Sequence, residues 1–262
     1  MKAQDRRERH HNRQLHHSVG LLIGFGLISV VGLLALLVAS AVTGQALPAL
    51  DSRIFVALRN PGDLSVPIGP TWLHAVARDI TALGSVSVLT LVTILGAGYL
   101  LLSDRSRLAA FLIVAIVTGA LFTFGLKAAV QRPRPDYVVL SARAQITSFP
   151  SGHAMMSAIT YLTMGVLLAQ TEQRPSMRIF ASAAGIVLAV LVGITRLYLG
   201  VHWPTDVLAG WILGAGWAVF CRLVLSRVPE IYRRSRAFAT KQWPKTRNRR
   251  TEWPTTMDDS KR

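Results

Sequence analysis

The sequence predicts an all-α polytopic membrane protein with six transmembrane helices in one bundle, and three observations carry that prediction. Hydrophobic residues make up 51% of the 262-residue chain and charged residues only 16%. The apolar residues fall into successive blocks without a charged side chain, at 19–42, 81–102, 108–126, 154–169, 179–194 and 207–221. Such runs are membrane spans in waiting, because about 20 residues of helix cross the hydrocarbon layer. The net charge of +16 gathers at the two ends of the chain, outside these blocks. That placement fits segments that fix orientation and touch anionic lipid, and it argues against a nucleic-acid partner.

Residues 1–18 read as a basic, solvated cytoplasmic tail, and His10, His11, His16 and His17 within it as solvated side chains rather than metal ligands. The first block, 19–42, outruns the roughly 7–15-residue apolar core of a signal peptide. A retained span is therefore expected, although Ala39-Ser40-Ala41 resembles a cleavage site. Residues 43–80 are of mixed polarity and contain Pro48, Pro61, Pro67 and Pro70; within them 50–58 is expected to lie in the interface as a short helix. The second and third blocks are long enough to span. The last three are shorter than about 20 residues, so their helices must extend into the polar residues that flank them, which places those residues at the hydrocarbon edge. Cys221, the one cysteine, lies inside the sixth block; it cannot form a disulfide within the chain and reads as a packing residue. Residues 227–262 are basic, carry Pro229, Pro244 and Pro254, and are expected to be cytoplasmic and partly disordered. The organisation is thus one membrane domain, 19–226, between two tails.

Basic residues favour the cytoplasmic side of short loops. With a cytoplasmic N-terminus, the larger share of the 29 Lys and Arg falls inside: the two tails, Arg105, Arg107, Arg174 and Arg178. Three separate segments then meet on the outer face. They are 127–135 after the third block, 150–153 before the fourth, and 195–206 between the fifth and sixth.

Those segments carry chemistry. Lys127, Arg134 and Arg196 supply fixed positive charge, and guanidinium groups match phosphate oxygens through paired N–H donors. Ser151 and Gly152 stand where a helix begins, where backbone N–H groups and the helix dipole favour an anion. His153 and His202 are acid–base groups able to work near neutral pH. Asp206 lies four residues after His202, in the first turn of a helix that Pro204 is suited to open. A carboxylate there can take the proton of one imidazole nitrogen and aim the other. Alone, each of these residues has a structural explanation: a snorkelling anchor, a polar cap, a loop. Three cations and two histidines together at membrane depth point to function instead. Arg132 and Arg143, in the same outer segment, read equally as wideners of the positive field or as solvated loop charges, and Asp136 as a solvated carboxylate.

Lys127-x6-Arg134-Pro135, Pro150-Ser151-Gly152-His153 and Thr195-Arg196-x5-His202-x3-Asp206 resemble, in order and spacing, the tripartite signature of the type 2 phosphatidic acid phosphatase and vanadium haloperoxidase superfamily. One departure is Thr195, where the third motif usually begins with Ser; the hydroxyl is kept. The resemblance implies a membrane lipid phosphatase with a phosphohistidine intermediate. His202 would attack phosphorus and Asp206 would orient it. His153 would protonate the leaving oxygen and then activate water. Lys127, Arg134, Arg196, Ser151 and the Gly152 N–H would hold the phosphoryl oxygens. It implies no metal and no other cofactor, and a single carboxylate committed to a histidine agrees with that. Substrates that fit are undecaprenyl diphosphate, the favoured one, with phosphatidic acid, phosphatidylglycerophosphate and lipid A phosphate also open. Alternatives are a phosphatase for a soluble phosphate ester, a non-catalytic membrane protein that binds lipid phosphate, and a vanadate-dependent haloperoxidase. The expected location is the cell membrane, with both termini cytoplasmic and the site on the outer face.

Overall fold

A computed structural model describes residues 46–130, 132–135 and 147–227. The first apolar block, Ala39-Ser40-Ala41, both tails beyond these bounds, Asp136 and Arg143 lie outside the described residues. The elements in chain order are α1 (Ala46–Ala57), β1 (Arg59–Asn60), β2 (Asp63–Pro67), α2 (Thr71–Ala82), α3 (Val86–Leu102), α4 (Ser106–Ala129), α5 (Gly152–Thr171), α6 (Pro175–Tyr198) and α7 (Pro204–Arg227).

The last three apolar blocks gain length as their shortness required: α5, α6 and α7 extend into the polar flanks at both ends. Pro175 opens α6 and Pro204 opens α7, at the helix position where a missing N–H has no cost. Among the described residues, four helices are long and apolar enough to cross a membrane, or five if α2 and α3 together form one bent span.

Two features depart from the sequence expectation. The chain is mostly rather than wholly α-helical, because residues 59–67 form a small antiparallel hairpin, Asn60 pairing with Asp63. Side chains of its turn explain it locally: Asn60 Oδ1 accepts from the Gly62 N–H at 3.0 Å, and Asp63 Oδ1 from the Ser65 N–H at 2.9 Å. The second apolar block, 81–102, is broken as well. α2 ends at Ala82, the Leu83 and Gly84 N–H groups turn back to Ile80 O and Thr81 O, and Ser85 Oγ caps α3 by accepting from the Val88 N–H. The two helices meet at 49°.

α5 is the central helix, buried along most of its length and packed between α6 and α7. Close approach depends on missing side chains. A Cβ on Gly185 of α6 would stand 2.5 Å from Tyr161 O, and one on Gly214 of α7 2.6 Å from Met155 O. Polar tips then tie helices to backbone carbonyls of neighbouring segments: Trp211 Nε1 donates to Ala189 O at 3.0 Å, Trp217 Nε1 to Ala115 O at 2.9 Å and Tyr161 OH to Leu83 O at 2.7 Å. Cys221 is buried in α7. Outward faces of α3, α4 and α6 present Leu95, Phe124, Ile179 and Phe180, as a lipid-facing surface would. Many of the buried polar side chains, namely Lys127, Ser148, Ser151, Thr195, His202 and Asp206, collect at one end of the bundle. There α4 and α6 end and α5 and α7 begin.

Candidate active site

At that end one cavity of about 980 Å³ is lined by Lys127, Arg134, Gly152, His153, Arg196 and His202. All three motif segments therefore reach a common wall. From this polar end the cavity continues between α3 and α4 along Leu89, Ile94, Leu101, Ile113, Val117 and Phe124.

Lys127 sits in the last turn of α4 and is buried, its Nζ donating a long 3.4 Å bond to Thr147 O. The start of α5 faces it: a Cβ on Gly152 would stand 3.3 Å from Lys127 Cε. Glycine there keeps the first turn of α5, whose N–H groups have no partner within the helix, open to an anion beside the ammonium. Arg134 donates from Nη1 to Val201 O at 3.2 Å. Burial lowers its pKa while the charge of Asp206 opposes the shift; a guanidinium stays charged throughout. Arg196, in the last turn of α6, reaches across to Thr81 Oγ1 at 3.3 Å. Its Nε is buried without a hydrogen-bond partner among the described residues, a donor on the cavity wall that an incoming oxyanion would satisfy.

Ser151 precedes α5 and is fully buried. Its N–H donates to Asp206 O at 3.0 Å, joining the start of α5 to the start of α7, while its Oγ has no partner among the described residues. His153 follows in the first turn of α5. The break between α2 and α3 makes room for it: a Cβ on Gly84 would lie 3.2 Å from His153 Cδ2 and 2.5 Å from Val192 Cγ1.

His202 lies in the connection between α6 and α7, 2% exposed. Its Nδ1 faces Asp206 Oδ2 at 3.6 Å, alignment for a proton contact but longer than a hydrogen bond. Its pKa is pushed down to about 4, by burial first and then by Arg196 and Arg134, with Asp206 pulling the other way. The imidazole is therefore neutral at pH 7, as a nucleophile requires. Asp206 is fully buried and multiply held. Oδ1 accepts from Arg132 Nη1 at 2.9 Å, and Oδ2 from the Trp203 N–H at 2.9 Å.

The structure thus corrects both sequence readings of Arg132. It is neither a free contributor to the field nor a solvated charge. Its Nη2 pairs with Asp51 at 2.7 Å and its Nη1 with Asp206. Asp51, on α1, has no role in the sequence reading, and Arg59, on β1, counts there only as one of the outer-side charges. The available signal for Asp51 was an acidic residue inside a short interfacial helix, where burial demands a partner.

Taken together, three cations and a helix start can hold a tetrahedral oxyanion, a neutral imidazole can attack it, and a second imidazole stands on the same wall for proton transfer.

Comparison with known proteins agrees with this chemistry. A family model described as the PAP2 superfamily matches residues 108–229. Phosphatidylglycerophosphatase B of Bacillus subtilis (strain 168) is 35% identical over 185 residues, which is 68% of this chain and 85% of that protein. An undecaprenyl-diphosphatase of Sulfolobus acidocaldarius is 38% identical over 112 residues, 41% of this chain and 48% of that protein. Among solved structures, the transmembrane PAP2-type phosphatidylglycerolphosphate phosphatase from Bacillus subtilis superposes with a TM-score of 0.62 at 30% identity, covering 80% of this chain and 96% of that one.

Proposed function

This chain belongs to the PAP2 superfamily, and on that premise we propose that it is a membrane phosphatase that removes phosphate from a lipid through a phosphohistidine on His202. The observation that carries the lipid part is the shape of the cavity. Its cationic end holds both histidines, and it runs on as an apolar groove along 17-residue α3, a helix about 25 Å long at 1.5 Å per residue. That approaches the roughly 30 Å of a bilayer core, so a headgroup phosphate at the site leaves its tail beside α3 and α4.

The positions of these residues support the following reaction. Lys127, Arg134, Arg196, Ser151 and the Gly152 N–H hold the phosphoryl oxygens and take up the charge that builds on them in the transition state. Neutral His202 forms the N–P bond as the P–O bond to the lipid breaks, and His153, which takes up a proton with the negative charge of the bound phosphate beside it, gives that proton to the departing oxygen. Phosphorylated His202 carries a positive charge, and Asp206, opposite Nδ1, balances it. Now neutral, His153 takes a proton from water, the water oxygen attacks phosphorus, and the N–P bond breaks to release inorganic phosphate.

Residues 19–42 complete this reading as a sixth span. Both tails are cytoplasmic and the site opens to the outer face, in the membrane of the cell. The distribution of Lys and Arg along the sequence supports that orientation.

The test is phosphate release by the purified protein in detergent from phosphatidylglycerophosphate, undecaprenyl diphosphate, phosphatidic acid, lipid A and a short-chain water-soluble phosphate ester, with His202→Ala alongside. Release from at least one long-chain lipid, lost in the variant, is expected, and the preferred lipid names the substrate. Release from the soluble ester alone would replace the lipid reading, and no release from any would leave a binding protein.

A further inference from the structure

α1 contributes none of the motif residues, yet it buries a carboxylate against them. Asp51 is 1% exposed, and an isolated ion in such a place is costly unless fully paired. It is fully paired. Oδ1 accepts from the Thr205 N–H at 2.9 Å, and Oδ2 from Thr205 Oγ1 at 2.6 Å and Arg132 Nη2 at 2.7 Å. Thr205 is the second residue of α7, so Asp51 caps that helix from elsewhere in the chain, satisfying a donor the helix cannot. Arg132 in turn donates from Nη1 to Thr205 Oγ1 at 2.6 Å and to Asp206 Oδ1 at 2.9 Å. One planar guanidinium thus bridges two buried carboxylates, and the set holds two negative charges against one positive. Further contacts brace the same connection. Phe55 packs on Trp203 with ring centroids 5.6 Å apart, and Arg59 Nη2 donates to Leu197 O and Tyr198 O at 3.0 and 2.8 Å.

From this geometry we propose that Asp51 is a positioning residue for the phosphoryl transfer, acting on His202 through Arg132 and Asp206. The proposal rests on the roles given above to His202 and Asp206. Arg132 fixes the Asp206 carboxylate opposite His202 Nδ1. Left alone with Asp206, it would also cancel the charge that His202 needs when it becomes a cationic phosphohistidine. Asp51 occupies the guanidinium and keeps one net negative charge in the set. Its contribution therefore grows as the N–P bond forms and is small when phosphate merely rests in the site.

The experiment uses full-length protein in detergent. Asp51→Asn keeps the shape and removes the charge. Its kcat should fall about tenfold or more, with KM and inhibition by inorganic phosphate within about twofold of the parent. Inhibition by vanadate, which mimics the five-coordinate transition state, should weaken by the same factor as kcat. Arg132→Gln should show a similar loss, and the double variant little more than either alone, because the two act as a unit. Asp51→Glu should recover part of the rate. Should Asp51→Asn not accumulate in the membrane, Arg132→Lys, which can serve only one carboxylate at a time, should show the same split. Unchanged kcat would overturn the proposal. So would phosphate and vanadate weakening together, since that marks a general loss of the site. A parent enzyme that forms no phosphoenzyme would overturn the His202 reading itself. A parent that forms one as fast as Asp51→Asn does would overturn only the role of Asp51.

Discussion

Asp206 is held more tightly by Arg132, at 2.9 Å, than it approaches His202, at 3.6 Å. The carboxylate is thus fixed by an ion pair and a backbone N–H before it meets the imidazole it serves in the proposed mechanism. Asp206→Asn keeps the shape but cannot balance a charged imidazole. We expect kcat to drop by roughly 10²–10⁴-fold, with the protein still inserted and still binding inorganic phosphate. Steady-state kinetics beside a phosphate-protection melt would check it.

His202 should stay neutral through ordinary pH. Its ligand-free pKa of about 4 lies below the usual imidazole value because burial and the neighbouring Arg196 and Arg134 disfavour the cation. ¹⁵N NMR of labelled histidine should show an uncharged ring at pH 5, and titration should move upward in Arg134→Gln, which removes one of those cations. The shift also links pH to stability. Above about 6.5 neither the folded nor the unfolded state protonates this group. As pH falls from there toward 4 the unfolded chain takes the proton first, so this contribution is progressively lost on acidification. A His202 that is charged at pH 6 without ligand would contradict the account.

The break between α2 and α3 shapes the site from the side. A Cβ at Gly84 would press on Val192 and on His153. Gly84→Val should therefore lower kcat by about tenfold or more and cost roughly 1–3 kcal/mol of stability from overpacking. Activity and thermal melting of the variant in detergent would show it; parent-like activity would mean that His153 has room to spare.

Gly98 lines the apolar groove, and a Cβ added there meets nothing within 4 Å among the described residues. Gly98→Phe should fold normally and fill the groove. We expect kcat/KM on a long-chain lipid phosphate to fall about tenfold or more, with under twofold change on a short-chain analogue, because only the former uses the groove. Equal loss on both would argue against a tail-binding role.

Much of the site was legible in the sequence, for a physical reason. Lys127, Arg134, His153, Arg196 and His202 are ionisable groups beside apolar blocks, and the membrane forces such groups to the ends of spans. Blocks too short to cross required α5, α6 and α7 to begin or end near these residues. Asp51 was not legible. Its partners Arg132 and Thr205 lie 81 and 154 positions away, and no local pattern announces a pairing that only tertiary packing creates. The same limit hid the true state of Arg132, whose Arg-Pro-Arg-Pro context looks like any basic outer loop. The bend at 83–85 was masked by an unbroken apolar block, although Gly84-Ser85 is a helix stop followed by a cap. The hairpin at 59–67 follows from the Asn60-Pro61-Gly62-Asp63 turn, which reads as loop until strands are seen to flank it.

A covalent phosphohistidine at His202 is the step on which the proposed mechanism turns. Protein mixed with ³²P-labelled lipid phosphate, quenched in alkaline detergent within milliseconds and mapped by peptide, tests it directly. Label that is stable to alkali and lost in acid is expected on the peptide containing His202, with none in His202→Ala. Label on another residue, or undiminished label and turnover in His202→Ala, would contradict it.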